Sequence, residues 1–128
     1  MHLQLLDTPR EFQVKGHSIK DLGKVQLEDG EMLTFLDPEG RECDFVAKKW
    51  GFYLGPSLND RLSREGFKVA LVLNEQGQIY VNAVNKDRVE EFINYLKTGQ
   101  NNTLLCWLDE WVPDRKGDKE NKPLKDGS

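Results

Sequence analysis

The run Phe67-Lys68-Val69-Ala70-Leu71-Val72-Leu73 limits the folds open to this chain more than any other stretch. All but one of its residues are apolar. A strand with one wet face alternates, so a nearly continuous apolar run belongs in the middle of a sheet or between two layers. The neighbouring segments must supply that cover. Asn74-Glu75-Gln76-Gly77-Gln78 reads as a turn, and Ile79 to Val84 as a strand pairing back. Asn85 can cap a helix running to about Lys97. Its Val89, Phe92, Ile93 and Leu96 fall at helical spacing and form one buried stripe. Gly99 ends this helix, and Thr103 to Leu108 reads as a last strand.

Upstream, Lys24 to Glu28 alternates, Asp29-Gly30 is a hairpin signal, and Glu31 to Leu36 reads as the return strand. Asp37-Pro38-Glu39-Gly40 makes a second turn before a strand from Glu42 to Lys48. These three strands form a meander leading into Trp50. Pro56 and Ser57 then open a helix near Leu58, expected to run to about Glu65 and stop at Gly66. From Glu42 onward the order is strand, helix, strand, strand, helix, strand. That order predicts an α+β fold with a ferredoxin-like split βαβ core (βαββαβ), preceded by a β-hairpin. The antiparallel sheet would carry both helices on one face. Its first and last strands would lie side by side, bringing Cys43 near Cys106.

Residues 1–22 show no clean period and read as an N-terminal arm folding back on the domain, with a short strand around Glu11 to Val14. Residues 23–112 form the single domain. Residues 113–128 are mixed in charge and nearly free of apolar residues, which predicts a disordered tail.

Composition narrows the function classes. A formal net charge of −4 argues against broad binding to nucleic acid or an anionic membrane, both of which need a basic face. No N-terminal apolar run reads as a signal peptide and no stretch is long enough to span a bilayer, so the expected location is cytoplasmic. Two cysteines, Cys43 and Cys106, form no zinc pattern, and His2 and His17 have no evident acidic or nucleophilic partner. No Gly-rich phosphate loop, HExxH or GxSxG motif is present. No metal or cofactor is expected.

The densest polar and aromatic stretch is Trp50-Gly51-Phe52-Tyr53-Leu54-Gly55-Pro56-Ser57-Leu58-Asn59-Asp60-Arg61. The start of a helix offers unpaired backbone N–H groups to an anion. Arg61 would add a fork of donors, Trp50 and Tyr53 flat apolar walls, and Ser57 and Asn59 further polar groups. The plainer alternative is structural: Pro and Ser open many helices, and aromatic residues beside them usually pack in the core.

The run from Lys49 to Leu62 resembles a segment of small bacterial single-domain proteins of pattern WGFYxxPSLNxRL. The similarity continues through Gly66-Phe67-Lys68 and Glu90-Glu91-Phe92, covering about residues 42–98. The family pattern has Ala-Thr where this chain has Leu54-Gly55, and Gly at Asp60, so a Thr hydroxyl is missing here. Such proteins look like companions of surface-polysaccharide synthesis enzymes. The leading expectation, drawn from the polar-aromatic run at the helix start, is a non-catalytic accessory or binding module for an anionic small molecule such as a sugar phosphate or sugar nucleotide. Two other classes stay open. One is a protein–protein adaptor or homodimer acting through a sheet face or edge, with Trp50, Trp107 and Trp111 as anchors. The other is a small enzyme using Asp or Glu with Tyr53 or Arg61.

Overall fold

The computed structural model describes residues 1–14, 16–98 and 101–111; the Gly99 helix stop and the tail over 113–128 lie outside them. Three antiparallel sheets carry the described residues. Strand β1 (His2–Val14) pairs with β2 (His17–Gln26). Strands β3 (Met32–Leu36), β4 (Glu42–Lys48) and β5 (Gly51–Leu54) form a meander with β4 in the middle. A short helix, α1 (Arg61–Arg64), leads to β6 (Phe67–Leu73), which lies between β7 (Ile79–Asn85) and β8 (Thr103–Trp107). Helix α2 (Val89–Lys97) joins the last two strands. The result is an α+β fold dominated by antiparallel sheet.

The continuous apolar run finds the two-sided cover it demands. Side chains alternate along a strand. Ala70 and Val72 of β6, 0% and 2% exposed, pack against Leu96 of α2, with Phe92, Ile93, Leu104 and Trp107 around them. Phe67 and Val69 point the other way, onto Leu62 of α1, with Cys43, Leu58 and Leu108. The α2 stripe is therefore seated as its spacing predicts. Asn85 Oδ1 accepts the Asp87 N–H at 2.8 Å and opens the turn Lys86–Arg88 that precedes this helix.

Strand pairing departs from the ferredoxin-like order. Both edges of β4 are taken, by β3 and by β5, so no edge remains for β8, which pairs with β6 instead. The side-by-side arrangement on which the Cys43–Cys106 proximity rested does not form, and both cysteines are free. The two helices cover opposite faces of β6 rather than one face. Helix length explains the change. The expected helix over 58–65 shrinks to Arg61–Arg64, with residues 58–60 in a turn. Four residues at 1.5 Å of rise advance the chain by roughly 6 Å, too little to return it along a seven-residue strand of roughly 23 Å. A parallel crossover onto β4 is thus out of reach.

The Asp29-Gly30 turn forms, with Gly30 at φ 85° and the Glu31 N–H donating to Glu28 O at 3.0 Å. It joins different partners from those expected. Lys24 to Gln26 pair with β1, and the turn itself lies against β4, where Gly30 N–H donates to Ala47 O at 2.8 Å. The second turn is as read: Asp37 Oδ1 accepts the N–H groups of Glu39 and Arg41 at 2.9 and 2.8 Å. It also ties the meander to the β7–α2 corner. Glu39 accepts from Arg88 Nε at 3.0 Å and Asn85 Nδ2 at 2.9 Å, and Arg41 pairs with Asp87 at 3.0 Å. Exposed pairs of this kind fix position more than they stabilise.

Candidate functional site

The five residues singled out in the sequence fall into separate groupings. Gly51–Leu54 is not a lead into a helix but the third strand of the meander, paired with Phe45 to Lys48 of β4. A short β-prone run bracketed by Gly51 and by Gly55-Pro56 is a strand signal. Trp50, 70% exposed, stacks on Tyr53 with ring centroids 6.0 Å apart and planes 21° from parallel. Phe52 and Leu54 are exposed beside them. Ser57 does serve the helix start: its Oγ accepts the Arg61 N–H at 2.9 Å. Asn59 is exposed on the turn before α1.

Arg61 turns toward the protein. Its guanidinium donates to the buried carboxylate of Asp44, which also accepts the Thr34 hydroxyl at 2.7 Å. The Thr34 hydrogen bond, and after it Arg61, hold the Asp44 carboxyl below the ordinary carboxylate range. The positive charge expected to meet an anion is thus matched inside the fold. Asp109 and Glu110 are structural as well. Val69 N–H, beyond the end of the β8 ladder, donates to Asp109 Oδ1 at 3.1 Å. Lys68 Nζ pairs with Glu110 at 2.8 Å and sits 4.7 Å from the Trp107 ring.

Sequence reasoning missed the largest surface feature. Strands β1 and β2 form a long two-stranded ribbon instead of an arm with one short strand. Two regular halves flank an irregularity between Leu5 and Arg10, where the register shifts by three residues. Pro9, which lacks an N–H, sits inside it. Gly23 opposes Leu5 at φ 139°, and a side chain there would run into the Gln4 carbonyl.

Each half of the ribbon is amphipathic. Residues directly opposite share a face. In one half Leu3 pairs with Val25 and Leu5 with Gly23; in the other Phe12 pairs with Ile19 and Val14 with His17. The reverse faces carry Gln4 and Lys24, then Glu11, Lys20, Gln13 and Ser18. The apolar faces are poorly covered: Leu5 is 66% exposed, Leu3 and Ile19 51%, and Val14, Phe12 and Val25 are exposed too. The charged pair on these faces is Arg10 with Asp21, closed at 2.6 Å.

The ribbon meets the body at both ends: the Met1 amine pairs with Glu31 at 2.9 Å at its base, and its tip lies over α2. His17 lies 4.8 Å from the Tyr95 ring of α2, and Val14 and Ile19 roof a cavity of about 380 Å³ above Val72, Tyr80, Val81 and Leu96. None of Trp50, Tyr53, Ser57, Asn59 or Arg61 lines it. Among the described residues no cluster of His, Cys, Asp and Glu is arranged to hold a metal, and no helix is long and apolar enough to cross a membrane.

Comparison with protein-family models, with curated proteins and with solved structures finds no match for this chain.

Proposed function

We propose that this chain is an interaction module that associates with a second copy of itself through the apolar faces of the β1–β2 ribbon. One observation carries the reading: a two-stranded ribbon whose apolar pairs Leu3–Val25 and Phe12–Ile19, with Leu5 and Val14, lie on one face of each half, with those faces about half exposed. An isolated two-stranded ribbon is marginal in water and needs a second layer. Its own body reaches it at the tip and, through the Met1–Glu31 ion pair, at the base, leaving the apolar faces between largely uncovered.

The area is in the right range. Six side chains left about half exposed, at roughly 150–200 Å² for a whole large side chain, offer on the order of 500 Å². A standard interface takes about 800 Å² per partner, and smaller ones are typical of weaker, transient pairs. At about 25 cal/mol per Å² the six alone supply roughly 12 kcal/mol of gross driving force per copy, comparable with the 4–15 kcal/mol cost of association. Electrostatics do not oppose it, because Arg10 and Asp21 neutralise each other on the contact face.

Leu5→Glu tests the reading. It adds a charge to a side chain that touches little of the body, so the monomer stays folded. Sedimentation velocity over a concentration series should show the unaltered chain moving from monomer to dimer and the variant remaining monomeric. A chain that stays monomeric at every concentration contradicts the reading, and so does a variant that dimerises as the unaltered chain does. The anion-docking reading of residues 50–61 lacks a comparable observation, since Arg61 is engaged by Asp44.

A further inference from the structure

The β3–β4–β5 meander has one face as bare as those of the ribbon. Residues directly opposite across a ladder share a face. Phe45 of β4 stands between Leu33 of β3 and Leu54 of β5, Cys43 opposes Phe35, and Ala47 opposes Phe52. All of these side chains are apolar, a free Cys behaving as a small hydrophobe. Phe35 and Phe45 meet edge to face with centroids 5.3 Å apart. Among the described residues the core reaches this face at Cys43, packed against Leu62, Phe67 and Val69. Phe52 stays 64% exposed, Phe35 52% and Leu54 40%. The opposite face differs in kind, because Thr34 and Asp44 lie on it, tied to each other and to Arg61.

Ribbon and meander thus present two apolar sheet surfaces on one chain, each short of a second layer. A second ribbon is a poor layer for the first, since a lone pair of strands is itself marginal. A three-stranded sheet with an apolar face is the smaller unit that stands by itself. Two such layers pack about 10 Å apart with their inner side chains interdigitated. Area points the same way. The ribbon faces offer on the order of 500 Å², short of the roughly 800 Å² per partner of a standard interface. Phe35, Phe52 and Leu54, about half exposed, add roughly 250–300 Å² per copy and close that gap. Symmetry agrees as well. Separate ribbon–ribbon and meander–meander contacts would carry assembly beyond two copies, whereas a two-fold exchange satisfies both surfaces in a closed pair.

We infer that each ribbon lies on the Phe35, Phe45 and Phe52 face of the other copy's meander, so that the dimer is a reciprocal exchange. This arrangement rests on self-association through the ribbon and names the surface that each ribbon meets. The mainly aliphatic ribbon side chains (Leu3, Leu5, Val25 and Ile19) then pack on aromatic rings.

The test is sedimentation velocity on the full chain, on Leu5→Glu, on Phe52→Lys, and on an equimolar mixture of the two variants. Phe52 is mostly exposed, so its variant should keep the urea midpoint of the unaltered chain at a monomeric concentration. Phe35→Lys, on the same face, takes its place if that midpoint falls. Each variant alone should dimerise at least about tenfold more weakly than the unaltered chain. The mixture should dimerise at least about tenfold more tightly than either variant alone. In the mixed pair the intact ribbon of one variant meets the intact meander of the other, and the introduced carboxylate and ammonium face each other at the second contact. A meander variant that dimerises as the unaltered chain does overturns the exchange and leaves the ribbon reading standing. Leu5→Glu dimerising as the unaltered chain does overturns both. Two weakened variants whose mixture gains nothing overturn the exchange and set meander against meander.

Discussion

Strand β6 and the β1–β2 ribbon are both antiparallel strand structure, yet they meet opposite fates. β6 is apolar on both faces, and its own chain supplies α1 and Leu108 for one face and α2 with Trp107 for the other. The ribbon is apolar on one face of each half, and the body holds it at its base through Met1 and Glu31 and lies loosely under its tip, leaving a cavity there. The contrast separates two kinds of sequence demand. A strand that cannot tolerate water on either side forces the rest of the chain to wrap it. A one-sided ribbon tolerates water on its polar face and leaves the other face largely uncovered by the described residues. The first demand makes a core, and the second leaves an apolar face exposed, the one proposed to meet a second copy.

A paired substitution gives the largest expected difference between the two regions. Leu62 is 1% exposed against Phe67 and Val69, so Leu62→Ala should cost about 2–5 kcal/mol, read as a lower urea midpoint with unchanged slope. The same change at Leu5, made at a concentration where the chain is monomeric, should cost less than about 0.5 kcal/mol. Equal costs at the two positions would erase the distinction.

A smaller effect comes from Asp44, which anchors Thr34 and Arg61 within the body. Its carboxyl is held below the usual range in the folded state. A lowered folded-state value means the ionised group stabilises the fold above the unfolded carboxylate range, and that contribution fades as pH falls through the folded value. Asp44→Asn should therefore lower the urea midpoint near neutrality and converge on the unaltered chain in acid. Sedimentation behaviour should not change, because Asp44 does not face the ribbon contact. A midpoint gap that persists in acid would show that the carboxylate charge is not what holds this corner.

Much of the body was legible. The apolar run of β6, the i, i+3, i+4, i+7 stripe of α2, and the Asp37-Pro38-Glu39-Gly40 and Asn74–Gln78 turns are local signals, and the fold honours each of them. Pairing was harder to read. Whether Phe52 to Leu54 extends β4's sheet or enters a helix depends on how far α1 propagates, and only four residues become helical. Taking that segment as a lead into a helix freed an edge of β4 on paper and produced the ferredoxin-like order. The ribbon escaped notice for a different reason. Leu3 and Leu5 keep one phase and Phe12 and Val14 another, because the register shifts by three residues around Pro9. A period-two search across that shift finds no strand. The polar-aromatic density at residues 50–61 also misled, since Arg61 serves a buried carboxylate, a partner seventeen residues away in sequence.

The central claim is that the ribbon is completed by a second copy while β6 needs none. Hydrogen exchange measured by mass spectrometry across a protein dilution series addresses it directly. Amides in His2–Val14 and His17–Gln26 should gain protection as concentration rises, while those of Phe67–Leu73 should be strongly protected at every concentration. Ribbon amides whose protection does not change with concentration, or gains confined to other strands, would contradict the account.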